Sequence, residues 1–398
     1  MANPTNKKGA VLRARIVQRA VGQGGLCEGW VEDDGVALRW VYDCGSNQTE
    51  TLAREVRKVT GPLDVLFISH LHADHVSGVD LLMRQTTAFE VVLPYLNDLV
   101  RLFTIAREAA NGLAAGLFMA FMSDPAGWLR ERGAERVTFI RGDDGQGPSV
   151  DERALFEKRP TLTGGIEARW SHEPRQAAGQ PRGVRIAPAG ATLDVVDGAG
   201  RCDWTFAPHV YPPSKRLQRA FQAELMAQFP GLSIAQIVRA VWWPAGQAKL
   251  QVCYDKVWID HNLVSMNLYM GPPPHAPTWS SGVAQPQGHS NLHWRQSDGW
   301  LSTGDAQLKA PMRRAAFQRF YAGYLSRVAV LVTPHHGAAN SWDDDILTGM
   351  SNLHLGIAAA GPNSYGHPHR AVRDALTAFG RPLVQVDEMQ SLSIDLRT

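Results

Sequence analysis

SHLHADHVSG, residues 69–78, is the stretch that decides the fold of this chain. It follows a largely apolar run at residues 63–69, which we predict as a strand buried on both faces, and it precedes helical spacing at residues 76–85. Neutral imidazoles and carboxylates suit Zn, Mn or Fe. The stretch carries four such ligands: His70, His72, Asp74 and His75. This spacing allows two metal ions, one bound by His70 and His72 and the other by Asp74 and His75.

Two more turns that carry histidine lie toward the carboxyl end. His335 and His336 follow an apolar strand predicted at residues 328–333 and precede a glycine, so both can sit on a tight turn that faces a site. His367 lies in a Gly-His-Pro turn before a helix predicted to begin at Arg370. There its imidazole can reach a leaving-group oxygen or a phosphate.

The histidine-rich stretch resembles the signature of the metallo-β-lactamase fold hydrolases, and two aspartates extend the resemblance. Asp43 lies in the run WVYDCGS and looks like the strand-ending Asp-x-Gly of that superfamily. The resemblance implies that it orients a metal-ligating histidine, and a turn-initiating Asp is the alternative. Asp305 ends the run STGD, which is similar to the family's Thr-Gly-Asp step. This implies a carboxylate that bridges two divalent metal ions, with Zn as the first choice and Mn or Fe as alternatives. The implied fold is α/β, a four-layer αββα sandwich of metallo-β-lactamase type.

A narrower resemblance is to the hydrolase domain of ComEC-type competence proteins. Its motifs occur in the same order at residues 21–25, 262–265, 302–305, 332–337 and 363–369. The resemblance implies a metal-dependent phosphodiesterase, since the competence relatives are suggested to degrade DNA. Those proteins carry the domain beside transmembrane channel helices, which this chain lacks.

This resemblance, through the same order of motifs, also implies roles for the residues of the site. His335 is the expected last ligand of the second metal, beside Asp74, His75 and Asp305, and His336 contacts the substrate instead. His70, His72 and Asp305 would then hold the first metal and leave a position for water or substrate. The family's third-motif histidine is either His261, which follows a strand-like run, or absent. The residues expected to act on the substrate or to support the reaction are Asp43, Asp74, His336 and His367.

We predict one hydrolase domain over residues 1–398, with an approximate insertion or lid at residues 141–256. Residues 141–200 are rich in Gly, Pro and charge and hold only short apolar runs. Helices are predicted at residues 215–229 and 233–241, and a strand at residues 250–259. The insertion would reshape the surface over the active site, or dock a protein partner.

Composition excludes several other classes of protein. The chain has 398 residues, with 40 Lys+Arg against 38 Asp+Glu and a net charge of +2, so it lacks the overall basic field of DNA-coating proteins. Local basic clusters, such as Arg175, Arg182 and Arg185, remain candidates for phosphate contacts. The longest apolar stretch, residues 113–122, is shorter than the roughly 18 to 20 residues of a membrane span. We expect no membrane span and, from the polar start, a cytoplasmic location.

The predicted function is hydrolysis by a water molecule activated at a dinuclear metal site, without a protein nucleophile. The sequence agrees, because it contains no GxSxG motif and no cysteine in a recognisable catalytic motif. The favoured substrate is a phosphodiester, such as DNA or a nucleotide. A small-molecule hydrolase of the same fold, acting on an ester, a lactone or a phosphocholine-type substrate, is the first alternative. A non-catalytic regulatory metal-binding module is the second.

Overall fold

Two large β-sheets form the centre of the structure, a computed structural model that describes residues 13–33, 35–114, 116–142, 166–197, 201–257, 264–276, 281–286, 292–294 and 299–397. The strands are β1 (Arg13–Gln18), β2 (Gly24–Asp33), β3 (Val36–Ser46), β4 (Leu63–Phe67), β5 (Ala88–Pro94), β6 (Arg136–Ile140), β7 (Ile166–Trp170), β8 (Arg175–Gln176), β9 (Val184–Ala187), β10 (Leu193–Asp197), β11 (Cys202–Val210), β12 (Met266–Gly271), β13 (Ser281–Pro286), β14 (Leu292–Trp294), β15 (Gly299–Ser302), β16 (Val328–Val332), β17 (Leu355–Ala359), β18 (Leu383–Val386) and β19 (Leu392–Arg397).

Helices connect these strands, most of them in the first two thirds of the chain. They are α1 (Thr49–Val56), α2 (Ala73–Val76), α3 (Val79–Gln85), α4 (Asp98–Ala110), α5 (Gly116–Ser123), α6 (Pro125–Glu131), α7 (Lys215–Gln228), α8 (Ile234–Ala240), α9 (Pro244–Val257), α10 (Pro311–Tyr321) and α11 (Arg370–Ala378). Within the described residues, no helix has the length and apolar character needed to cross a membrane.

Each sheet combines antiparallel and parallel strands. The first has the order β14-β13-β19-β1-β2-β3-β4-β5-β6-β9-β8, and the second β18-β17-β16-β15-β12-β11-β10-β7. Strands β3, β4, β5, β6 and β9 pair in parallel in the first sheet, as do β15, β16, β17 and β18 in the second. Because the carboxyl ends of parallel strands meet at one edge, each sheet has one edge from which loops can converge on a site.

The two sheets pack face to face through a core of aromatic side chains. The rings of Trp40 and Trp204 lie 5.6 Å apart, and those of Phe67 and Phe206 lie 5.2 Å apart, which joins β3 and β4 of the first sheet to β11 of the second. Apolar residues of α1 and α3 extend this core. On its other face the second sheet packs against α10 and α11 in a separate cluster that includes Phe317. The result is a four-layer αββα sandwich, which confirms the predicted fold class.

The predicted strand at residues 63–69 is confirmed as β4, and the predicted helices at residues 215–229 and 233–241 as α7 and α8. The prediction of a strand at residues 250–259 is wrong for its described part, because residues 250–257 lie in α9. Leu250, Cys253 and Tyr254 are its buried side chains, at helical spacing, and the Tyr254 ring lies 5.1 Å from that of Phe103 in α4. Packing against α4 therefore decides the conformation of this segment.

Residues 166–210, within the predicted insertion, contribute strands to both sheets. Strand β9 pairs with β6 in the first sheet, and β7, β10 and β11 lie in the second. The following helices α7 and α9 pack on each other and, with α8, on α4. The strands at residues 166–210 are thus part of the two sheets of the sandwich. The helices that follow them pack against α4. The segment at residues 143–165 lies outside the described residues.

Candidate metal centre

The predicted ligands converge at the carboxyl ends of the parallel strands. His70 and His72 follow β4, and Asp305 follows β15. His335 and His336 follow β16, in a tight turn at Pro334–Gly337. Two sheets thus supply one site, in which all the predicted ligands lie close together.

The predicted ligands fall into two groups, and within each group all the ligand atoms lie within 4.8 Å of one another. The first group is His70, His72 and Asp74, and the second is Asp74, His75, Asp305 and His336. The imidazoles in both groups are buried. Because these groups are the ones that Zn, Mn and Fe prefer, the donor set fits the predicted metals.

Asp305 belongs to the second group and also faces His70 of the first, with one oxygen toward each side. Its Oδ2 is 3.5 Å from Nε2 of His70 and 3.6 Å from Nε2 of His335. Its Oδ1 is 3.3 Å from Nε2 of His75 and 3.6 Å from Nε2 of His336. This arrangement is compatible with the predicted bridging role.

The two adjacent histidines occupy different sides of Asp305. Nε2 of His336 lies 3.6 Å from Oδ2 of Asp74, so His336 completes the second group. His335 instead faces the same Asp305 oxygen as His70. The sequence-based assignment gave the place beside Asp74 to His335. The order of the motifs could not distinguish His335 from His336, because the two are adjacent in sequence and their side chains point to different sides of Asp305.

Backbone strain is concentrated at this site. Within the described part of the chain, the non-glycine residues with positive φ are Asp43 at 60°, His335 at 49° and His336 at 58°. Such conformations cost of order 1–3 kcal/mol each and persist where the surrounding structure requires them. Asp43 lies where the register between β2 and β3 shifts, so it occupies a β-bulge that redirects its side chain.

Asp43 holds two residues of the site in position. Its Oδ1 accepts a hydrogen bond from the backbone N–H of Ser69 at 2.6 Å. Its Oδ2 accepts from Ser69 Oγ at 2.7 Å and from His75 Nδ1 at 2.8 Å. A Cβ on Gly25 would lie 2.8 Å from the Asp43 Cβ, so the approach of β2 requires glycine there. The contact between Asp43 and His75 agrees with the orienting role that the resemblance implies.

The hydrogen bonds of the Nδ1 atoms show which imidazole nitrogens are left for a metal. Ser69 donates its proton to Asp43, so its Oγ accepts from Nδ1 of His70 at 2.9 Å. Nδ1 of His336 donates to the carbonyl of Ala359 at 2.8 Å. Nε2 of His70, His75 and His336 is buried and has no hydrogen-bond partner within the described residues. Such atoms are costly unless something binds them, so three Nε2 atoms that face Asp305 fit a bound metal, for which His75 gives up its proton.

Burial and charge set the protonation states. Burial lowers the pKa of His70 and, together with Arg107, holds that of His72 well below its usual value. Burial also lowers the pKa of His335 to about 4. These imidazoles are therefore neutral at pH 7, as metal binding requires. Burial would lower the pKa of His75 as well, but Asp305, Asp43 and Asp74 outweigh it and raise that pKa well above its usual value.

Carboxylates near the site keep their charge. Burial alone would raise the pKa of Asp305, but the surrounding histidines, His335 first, hold it well below its usual range. Asp74 is shifted in the same direction, because His75 and His336 outweigh its burial. Anionic oxygens are thus available on both sides of the site.

His367 lies at the outer side of the centre. Its ring centroid is 5.6 Å from that of His335, and it stacks on Tyr365 at 5.7 Å. Burial lowers the pKa of His367 to about 3, so its imidazole is neutral. Tyr365 is 64% exposed and lies in the motif at residues 363–369, but the sequence analysis assigned it no role.

Arg107 is another residue that sequence reasoning missed. It projects from α4 to His72, and one of its terminal nitrogens lies 2.8 Å from Nε2 of that ring. An arginine on a helix is usually a solvated surface residue, so no sequence signal distinguishes it. Among the other candidates, His261 lies outside the described residues. Arg185 is buried and paired with Glu90 at 2.6 Å, so it is not part of a surface basic cluster.

Comparisons with known proteins support the resemblance for part of the chain. Residues 30–92 match the model of the metallo-beta-lactamase superfamily, a range that includes Asp43 and the stretch at residues 69–78. No curated protein sequence matches the chain. Among solved structures, the crystal structure of the short form of human tRNase Z aligns over 80% of this chain and 91% of that one, with 12% identity and a TM-score of 0.27. A TM-score this low bears on neither fold nor activity. The narrower resemblance to ComEC-type proteins stays a prediction.

Proposed function

We propose that the protein is a metal-dependent phosphodiesterase that acts on nucleic acid or a nucleotide. The observation that carries the proposal is the pair of ligand groups with the Asp305 carboxylate between them. The resemblance of the sequence motifs to those of ComEC-type hydrolase domains supports a phosphodiester over other substrates. The match of residues 30–92 to the superfamily model supports metal-dependent hydrolysis in general.

We assign two metal positions from the contacts. His70, His72 and Asp305 would hold the first, His335 adds an imidazole on that side, and Asp74 lies in the same group as His70 and His72. The second would be held by Asp74, His75, Asp305 and His336. When bound, divalent ions of this kind acidify a water molecule and polarise the scissile group. Zn remains the first choice, with Mn or Fe as alternatives.

The residues of the chain supply orientation and proton control. Asp43 fixes the ring of His75 through Nδ1, and the Ala359 carbonyl does the same for His336. Such partners hold the proton on Nδ1, so that Nε2 is the atom left for a metal. We propose that His367, which is neutral, contacts the leaving-group oxygen from the outer side of the site.

The same site could activate water against an ester or a lactone, so substrate choice needs a direct experiment. We would measure the metal content of the purified protein, then hydrolysis of bis-p-nitrophenyl phosphate and of labelled single- and double-stranded DNA, with added Zn or Mn. About two metal ions per chain and DNA cleavage are expected. Two metals with turnover of esters or lactones alone would replace the proposal with a small-molecule hydrolase. Absence of metal under all conditions would favour a regulatory module.

The assignment of the adjacent histidines gives a separate prediction. His336→Ala should weaken zinc binding at the second position by at least about 100-fold, because a ligand beside Asp74 and His75 is lost. If His336 contacts only substrate, the variant will keep its zinc and show a raised KM. Zinc titration with a competing chelator distinguishes the two results. His293→Ala is the control, because His293 is exposed on β14.

Three predictions about the whole chain stand as proposals. They are a single hydrolase domain over residues 1–398, a cytoplasmic location, and a protein partner for the insertion at residues 141–256. We propose that α7, α8 and α9 form the surface that binds such a partner. They pack against α4, which carries Arg107 to the site.

A further inference from the structure

The outer face of the first sheet carries a cleft that is separate from the metal centre. Its volume is about 510 Å³, a size that accommodates a small ligand. Residues of β1, β2, β3 and β19 line it, together with Val59, Thr60 and Leu63. Leu63 begins β4, whereas His70 follows the other end of that strand. At about 3.3 Å per residue, this side of the cleft therefore lies roughly 20 Å from the metal centre along the strand.

Strand alternation directs polar side chains into the cleft. Ala14 and Ile16 of β1 are buried in the core, so Arg15 between them points to the outer face. Trp30 of β2 lies opposite Arg15 in the register, and Arg39 of β3 lies opposite Trp30. Side chains directly opposite each other on neighbouring strands are about 5 Å apart at Cβ. The indole is thus flanked on both sides by an arginine, and all three residues line the cleft.

Arg39 is a cation without a carboxylate partner in the described part of the chain. Its backbone N–H donates to Asp64 Oδ2 at 2.8 Å, but its guanidinium makes no ion pair there. Gly61, at φ 78°, leaves room for the guanidinium, because a Cβ on that residue would lie 2.7 Å from Arg39 Nη1. The Arg39 side chain is half-buried, so an anion bound in the cleft would supply the missing counter-charge.

The other charged side chains of the cleft are paired. Arg19 bonds to Glu28, and Arg15 lies 3.7 Å from Asp395 with 44% of its side chain exposed. The lining holds three arginines against one glutamate. Even with Asp395 counted, a positive charge remains, and it is that of Arg39. The charge of the cleft therefore favours an anionic ligand.

We propose that this cleft binds a nucleotide, with the phosphate on Arg39 and the base on Trp30. A guanidinium binds two phosphate oxygens at once, and an indole stacks on any of the bases. The nucleotide is either free or one unit of a nucleic-acid chain, since both offer the same chemistry. This site goes beyond the proposed function, because it lies at the other end of β4 from the metal centre and takes no part in hydrolysis.

The test uses the full-length, zinc-loaded protein with AMP and with a single-stranded oligodeoxyadenylate of six nucleotides whose phosphorothioate linkages resist hydrolysis. Arg39→Gln and Trp30→Leu should each weaken binding of the tighter of these two ligands by about 10- to 100-fold in calorimetry. Both variants should keep their zinc content and their kcat/KM for bis-p-nitrophenyl phosphate within about twofold of the wild type. Photolabelling with 8-azido-AMP should mark a peptide that contains Trp30 in the wild type and not in Arg39→Gln, as read by mass spectrometry.

Arg84→Gln is the matched control, because it removes an arginine whose side chain is 69% exposed and which pairs with Asp80. It should bind both ligands as the wild type does. Tighter binding of AMP would identify a free nucleotide, and tighter binding of the oligonucleotide a nucleic-acid chain.

Three results would overturn the proposal of a nucleotide site. They are unchanged binding in Arg39→Gln, unchanged binding in Trp30→Leu, and photolabelling of metal-centre peptides alone. If the zinc-loaded wild type hydrolyses no diester, the proposed function fails, yet calorimetry and photolabelling still test the cleft. Thermal melting of each variant shows whether it is folded.

Discussion

Asp305→Asn is expected to lower kcat/KM for bis-p-nitrophenyl phosphate by roughly a thousandfold or more. The carboxylate presents one oxygen to His70 and His335 and the other to His75 and His336. Asparagine has the same shape but loses the charge and one of the two acceptor oxygens. Loss of several kcal/mol of metal-based charge stabilisation corresponds to this factor. Steady-state kinetics at saturating zinc, together with the zinc content, measure the effect.

The control for this substitution is Asp374→Asn. The Asp374 side chain is 65% exposed on α11 and pairs with Arg370 at 3.3 Å, so the same chemical change occurs away from the ligands. This variant should keep full activity. If Asp305→Asn retained a tenth or more of wild-type activity, the carboxylate would not be shared between two metals, and the proposed centre would be refuted.

Glu90→Ala should lower the free energy of unfolding by about 3–5 kcal/mol, because it leaves a buried arginine without its main partner. Glu90 is 1% exposed on β5 and accepts hydrogen bonds from Arg185 at 2.6 Å and from Trp170 Nε1 at 3.1 Å. It therefore links β5 and β9 of the first sheet to β7 of the second. For a chain of this length the loss corresponds to a fall in Tm of about 4–6 °C. Scanning calorimetry measures it.

Glu173→Ala is the matched control, since it removes the other carboxylate bound to the same arginine. The Glu173 side chain is 50% exposed and lies 2.9 Å from Arg185 Nη1. An exposed pair of this kind contributes about 0–1 kcal/mol, so the change in Tm should be near 1 °C or less. Equal shifts in the two variants would show that burial does not set the strength of this network.

Local sequence patterns were sufficient to predict the structure of segments that short-range features determine. The stretch at residues 69–78 predicted a loop between a buried strand and a helix, and the structure has β4 before it and α2 and α3 within and after it. The turn between β2 and β3 was also predictable, because Asp33 and Gly35 supply turn chemistry there. The prediction that the ligands lie close together followed from these local features and from the predicted fold class.

The predictions that failed concerned segments whose structure depends on contacts between residues distant in sequence. Residues 250–257 have strand-like composition, yet they form α9 because Leu250 and Tyr254 pack on α4. Strands β7 to β11 lie in a stretch rich in Gly and Pro, where short runs gain order only by pairing with strands of the two sheets. Arg107 reaches the site from a helix more than thirty residues beyond His72, a placement that no local spacing reveals.

The positive φ angles of Asp43, His335 and His336 have a consequence for the evolution of thermal resistance. Each residue keeps a conformation that glycine would adopt without strain, and one of them, His336, has a buried Nε2 with no hydrogen-bond partner within the described residues. Selection for heat tolerance alone would therefore favour glycine in place of His336, at the expense of activity, whereas the hydrogen bonds of Asp43 to Ser69 and His75 oppose the same change there. A screen that retains function must select for turnover and heat tolerance together, because here the two traits compete for the same residues.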